Sequence, residues 1–102
     1  MPQVRKVQLQ EPAIDDIKAI YRYLAELVGH ERAETYTARI ESFCRSLGTF
    51  SERGRLRPEL GEGLRTIVFE SRAVIAYRLT TETVLIVRVI HGAQDYDSDF
   101  FN

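Results

Sequence analysis

Residues 64–90 run Leu64-Arg65-Thr66-Ile67-Val68-Phe69-Glu70-Ser71-Arg72-Ala73-Val74-Ile75-Ala76-Tyr77-Arg78-Leu79-Thr80-Thr81-Glu82-Thr83-Val84-Leu85-Ile86-Val87-Arg88-Val89-Ile90. Valine, isoleucine, tyrosine and threonine recur with a period of two, the pattern of half-buried strands. The stretch divides into Leu64–Glu70, Ala73–Thr80 and Thr83–Ile90, with turns at Ser71-Arg72 and Thr81-Glu82. Turns this short join antiparallel neighbours, so the strands form a meander. A two-residue Thr81-Glu82 loop sets Arg78 opposite Leu85 and Arg72 opposite His91. One face then carries Ala73, Ile75, Tyr77, Leu79, Val84, Ile86 and Ile90, interrupted by Arg88. The other carries Val74, Ala76, Val87 and Val89, flanked by Arg72, Arg78 and His91. A chain this short has little left to cover a second apolar face, and a partner segment is its natural cover.

Upstream of residue 63 the period is helical. Ile14, Ile17, Ile20, Tyr21, Leu24, Leu27 and Val28 form one apolar stripe, opened by Glu11-Pro12 and stopped by Gly29. Asp15 and Asp16 sit in or near its first turn, favourably placed for the helix dipole. Ala33, Tyr36, Thr37, Ile40, Phe43, Cys44, Leu47 and Phe50 form a second stripe. So short a connection makes the two helices antiparallel neighbours. Val7 and Leu9 alternate with polar residues as a short strand, and residues 51–63, with three glycines and a proline, read as a loop. The prediction is a single α+β domain over residues 1–102, ordered β-α-α-β-β-β. Its antiparallel sheet has the helical hairpin packed on one face.

Composition narrows the function classes. The chain has 102 residues, 44% hydrophobic and 28% charged, which is an ordinary globular balance. No apolar run approaches the roughly 18 residues of a membrane span, and Met1–Lys6 does not lead into a signal-peptide core. One cysteine, Cys44, suits a reducing cytoplasm and reads as inert core packing. The net charge of −1 hides a basic second half: residues 53–92 hold seven arginines against four glutamates. Arginine's planar fork suits bidentate contacts to carboxylates or phosphates, so a basic face for an acidic partner is expected. The two histidines, His30 and His91, have no metal-ligand spacing, and there is neither a phosphate loop nor a nucleophile elbow, so no metal or cofactor is expected. A metal-free cluster of His91 with Arg72, Arg78 or Arg88 could act on RNA by general acid–base and electrostatic catalysis. The alternative is that the arginines only grip an acidic partner.

The local strings, in order, resemble the ParE branch of the RelE/ParE toxins of type II toxin–antitoxin, or plasmid stabilisation, systems. Arg53-Gly54-Arg55-Leu56-Arg57-Pro58-Glu59-Leu60-Gly61-Glu62-Gly63-Leu64-Arg65 is similar to the family's G-R-x-R-P-E-L-G-x-G-L-R stretch. Ala76-Tyr77-Arg78-Leu79 and Ile86-Val87-Arg88-Val89-Ile90-His91-Gly92-Ala93-Gln94-Asp95 extend it, with Gln94 in place of the usual arginine. The resemblance runs from Val4 to about Tyr96. It implies a cytoplasmic toxin neutralised by a ParD-like antitoxin, with no membrane association and no sequence-specific DNA binding of its own. The residues gripping the antitoxin or target would be drawn from Arg53, Arg55, Arg57, Arg65, Arg72, Arg78 and His91.

The resemblance leaves two activities open, poisoning of DNA gyrase and ribosome-dependent cleavage of mRNA. Ribonuclease relatives carry an arginine where this chain has Val74, and a His-Tyr pair where it has Gly92-Ala93. The residues left for a nuclease are His91, Arg72, Arg78 and Arg88, which favours gyrase inhibition. An orphan homologue without activity is a third reading. The acidic, aromatic tail, residues 96–102, either folds back on the core or docks on the target.

Overall fold

The computed structural model describes residues 4–92 and Phe101. Strand β1 (Lys6–Leu9) leads through Gln10 into helix α1 (Glu11–Val28), with Pro12 in its first turn. Gly29 alone separates α1 from helix α2 (His30–Ser46). It sits at φ +94°, a conformation side-chain-bearing residues rarely adopt. A one-residue break leaves the two helices no choice but to fold back on each other. They bury Ala13, Ile17 and Ile20 on one side and Ala33, Thr37, Ile40 and Cys44 on the other, at the three- and four-residue spacings of single helical faces.

The meander follows as β3 (Arg65–Phe69), β4 (Ala73–Leu79) and β5 (Thr83–His91), after a two-residue strand β2 (Arg55–Leu56). The sheet order is β1-β5-β4-β3-β2. Two expectations are corrected here. The sheet is mixed, because β1 pairs with β5 in parallel, Val7 beside Val84 and Leu9 beside Ile86. Alternation in a short strand carries no information about direction. Residues 51–63 are also not one loop. They hold a 3-10 turn at Ser51–Arg53 and strand β2, which pairs Arg55 with Thr66 and Leu56 with Arg65.

The first hairpin turn lies at Glu70-Ser71, one residue before the expected Ser71-Arg72, and closes with the Arg72 amide donating to the Phe69 carbonyl at 3.1 Å. Both turn residues have positive φ, 50° and 60°, as a primed two-residue turn requires. Neither is glycine or asparagine, so each carries backbone strain. Ser71→Gly should therefore stabilise the fold by about 1 kcal/mol, visible as a rise of several degrees in the thermal midpoint. An unchanged or lowered midpoint would contradict the strained turn.

The register is as expected from Leu79↔Val84 to Tyr77↔Ile86, and then a β-bulge intervenes. Beyond it Ala76 faces Arg88, Ile75 faces Val89, and Ala73, not Arg72, faces His91. One inserted residue exchanges the faces of everything that follows. Val89 joins the helix-side core with Ile75, Tyr77, Val84 and Ile86, while Ile90 moves to the outer face.

That outer face is also less bare than expected. Leu60 and Leu64 cover Ala76, Val87 and Ile90, together with Phe101 from the chain's own C-terminal end. The rest of the tail, residues 93–100 and 102, lies outside the described residues. Val68 stays exposed on this side, and elsewhere Ile14, Leu27 and Val28 of the α1 stripe and Phe50 beyond α2 are exposed too. The apolar stripe of α1 is longer than the surface that buries it. Cys44 is fully buried, and its burial, reinforced by Glu41 against Arg45, pushes its thiol up to about 12. No helix among the described residues is long and apolar enough to cross a membrane.

Candidate functional site

The basic loop is built from the core outward. Tyr77, fully buried at the centre of β4, carries its hydroxyl to the segment after α2. There it donates to the Ser51 carbonyl at 2.7 Å and accepts the Gly54 amide at 2.7 Å. Burial raises its pKa, partly offset by the Gly54 amide and by nearby Arg65 and Arg53. Arg65 of β3 donates to the Gly54 carbonyl at 2.8 Å and the Glu52 carbonyl at 3.3 Å. A phenol and a guanidinium thus fix the backbone of Glu52–Gly54 and set the direction in which Arg53, Arg55 and Arg57 leave it.

Those arginines are not equivalent. Arg53 donates to Ser46 Oγ at 2.9 Å and lies 5.3 Å over the Phe43 ring. Arg57 donates to Glu59 at 2.7 Å and holds that carboxyl below its usual range. Arg57 also reaches the Thr66 hydroxyl. The Arg55 side chain is exposed and makes no hydrogen bond or ion pair with a described residue. Arg78 stands apart on the outer face, donating to the Glu62 carbonyl at 3.1 Å and packing against Gly61. There it holds the segment that carries Leu60 and Leu64.

Arg88 is committed to the fold. It forms a two-pronged ion pair with Asp16 of α1, Nε to Oδ2 at 2.7 Å and the outer nitrogen to Oδ1 at 2.8 Å. The same carboxylate accepts the Val89 amide at 2.9 Å. Strand β1 ends opposite Ile86, so the edge of β5 beyond it would present an unpaired amide. Asp16 satisfies it.

The bulge brings His91 to the helix side of the sheet. Its ring lies edge-on to Tyr36 of α2, centroids 5.6 Å apart. Burial and the positive charge of Arg72 both push the His91 pKa down, keeping the ring neutral near pH 7. Arg39 of α2 lies 5.3 Å over the opposite partner of that contact, the Tyr36 ring, and donates two hydrogen bonds to Glu70, at 3.0 and 2.9 Å. That pairing lowers the Glu70 pKa. Tyr36, Arg39, Arg72 and His91 line a cavity of about 490 Å³ together with Leu24, Val28, Glu31 and Arg32.

Of the candidate groups, Arg72 and His91 therefore stay together, though on the opposite face of the sheet from the one expected. Arg78 and Arg88 lie elsewhere. Tyr36, Arg39 and Asp16 are neighbours of these groups that sequence reasoning missed as site residues. Tyr36 reads as a core position in an apolar stripe, and only the bulge reveals what it faces. His30 is tied into the inter-helix turn, hydrogen-bonded to Tyr21 and 3.2 Å from Glu34.

Comparison with known proteins places this geometry. The chain is similar in fold to the chromosomal ParDE toxin–antitoxin system of P. aeruginosa, with a TM-score of 0.77 and 23% identity over 87% of this chain and 97% of that one. It is also similar to the toxin–antitoxin complex RelBE2 of Mycobacterium tuberculosis, with a TM-score of 0.64 and 22% identity over 86% of this chain and 98% of that one. Among curated proteins nothing matches the sequence. The family described as the ParE toxin of the type II toxin–antitoxin system parDE matches residues 7–96. Nine-tenths of the sequence is spanned by that match, and this chain belongs to the ParE toxin family of type II toxin–antitoxin systems.

Proposed function

We propose that this toxin acts in the cytoplasm by binding DNA gyrase, with no chemistry of its own, and is neutralised by a ParD-like antitoxin. The observation that carries the choice of target is the dispersal of the four groups a nuclease would need. Arg88 is locked to Asp16, Arg78 holds the outer-face segment, and only His91 and Arg72 share a cavity. Cleaving a phosphodiester through the 2′-hydroxyl needs a general base together with a general acid or a strong electrostatic stabiliser. Losing either costs on the order of 10²–10⁴ in rate. A neutral His91 can serve as the base, and the leaving oxygen is then left to Arg72 alone, without Arg78 or Arg88 beside it.

The competing reading is a ribosome-dependent ribonuclease, and one observation speaks for it: His91, Arg72 and Tyr36 converge. Induction of the toxin in a bacterial host without its antitoxin separates the two. Gyrase binding predicts filamentation, a DNA-damage response and trapped gyrase–DNA complexes, retained in His91→Ala. Immediate translation arrest with mRNA cut on the ribosome, abolished by His91→Ala, would overturn it. Growth without any effect would point to an inactive homologue.

A further inference from the structure

We infer that the cavity between the helical hairpin and the turn joining β3 to β4 seats one aspartate or glutamate side chain of the antitoxin, gripped by Arg72. An apolar residue of the same segment would rest on Leu27 and Val28. The inference rests on the reading of an antitoxin partner and names where one of its acidic residues lands.

The charge layout carries the argument. Among the described residues, Glu70 is a carboxylate that feels the charge of Arg72, and Arg39 already holds both of its oxygens. The Arg72 side chain is left exposed, its guanidinium making no hydrogen bond or ion pair to a described residue, and its positive charge is felt at His91 and Tyr36. An unoccupied guanidinium fork matches the two oxygens of a carboxylate.

The site also holds an unmet donor. The Tyr36 hydroxyl is, among the described residues, the buried side-chain polar atom without a hydrogen-bond partner. Such a group normally finds an acceptor. A carboxylate at Arg72 brings one, reached as the side chains over the hydroxyl shift. Leu24 and Val28 give the cavity an apolar part beside exposed Leu27 of the same helix, and three arginines, Arg32, Arg39 and Arg72, outnumber the one carboxylate of its lining, Glu31. A phosphodiester chain, charged at every step, fits so mixed a surface poorly. An isolated carboxylate on an amphipathic segment fits it well.

The test uses the full toxin and the antitoxin encoded in the adjacent reading frame, with affinity measured by calorimetry. Arg72→Gln is expected to weaken binding 10- to 100-fold with the thermal midpoint of the free toxin unchanged, and Arg72→Lys to fall between. Tyr36→Phe should raise the midpoint of the free toxin, by removing an unpaired buried hydroxyl, and yet weaken the complex. A purely structural tyrosine would not move the two readouts in opposite directions. A scan of Asp→Asn and Glu→Gln changes along the antitoxin tail, repeated with Arg72→Gln toxin, should find one position whose effect disappears. Unchanged affinity of Arg72→Gln, or no coupled position, would overturn the carboxylate seat while leaving the antitoxin in place. No binding by the wild-type toxin would overturn the antitoxin reading and the seat with it.

Discussion

Gly54→Ala is expected to destabilise this toxin by about 3 kcal/mol and to lower its thermal midpoint by on the order of 10–20 °C. A methyl group at this position would lie 2.4 Å from the Tyr77 hydroxyl and 2.7 and 2.8 Å from two ring carbons. Tyr77 cannot retreat, because its ring is fully buried and its hydroxyl is held by Ser51. The loop must move instead, breaking the hydrogen bonds from the Gly54 amide to Tyr77 and from Arg65 to the Gly54 carbonyl. Tyr77→Phe removes only the hydroxyl, leaving the Ser51 carbonyl and the Gly54 amide unpaired, and should cost about 2 kcal/mol. The two changes share those bonds, so the double variant should cost less than the two single effects combined. Because Arg53 and Arg55 leave the same backbone, both variants should also weaken binding to the antitoxin. Denaturant unfolding measures all three. A cost under 1 kcal/mol for Gly54→Ala would mean that the loop yields without loss and is not held by Tyr77.

How far the sequence foretells such features depends on whether their cause is local. The helices are legible because the positions Ala13, Ile17 and Ile20, or Ala33, Thr37, Ile40 and Cys44, face one way in any helix, wherever it docks. The hairpin register is legible near Thr81-Glu82 because a tight turn sets it for the next few pairs. It fails after Ile86 because the bulge there accompanies a contact with Asp16, more than seventy residues earlier in the chain. No local pattern in residues 83–91 reports that. The consequence reaches the candidate site directly, since one inserted residue carries His91 from the outer face to the side of Tyr36. Tyr77 was legible as core but not as the anchor of the basic loop. Its partners at Ser51 and Gly54 belong to a stretch whose glycines and proline mask the short strand β2. The basic clustering of residues 53–92 was visible at once. Which of those arginines are tied to the chain itself was not, because backbone carbonyls of Glu52, Gly54 and Glu62 claim Arg65 and Arg78.

Asp16→Ala is expected to cost about 3 kcal/mol, the lower end of the range for breaking one side of a buried ion pair, because both side chains are only partly buried. The carboxylate is 16% exposed and the Arg88 side chain 24%, so water screens the pair only weakly. Removing Asp16 takes two carboxylate bonds from the Arg88 guanidinium and leaves the Val89 amide on the open edge of β5 without its acceptor. The reverse change is milder. Arg88→Ala leaves the carboxylate its bond from Val89 and some access to solvent, and should cost about 2 kcal/mol. Asp16→Asn separates the two roles, since the amide oxygen can still accept from Val89 while the charge is lost. It should fall between the other two. This ordering, Asp16→Ala above Asp16→Asn above Arg88→Ala, is what unfolding measurements on the three variants would check. Because Val89 and His91 lie on the same strand after the bulge, hydrogen exchange at the end of β5 should quicken most in Asp16→Ala. If Arg88→Ala proved the most damaging, the carboxylate would be serving the arginine alone. The edge of β5 would then need another explanation for its register shift, and with it the position of His91.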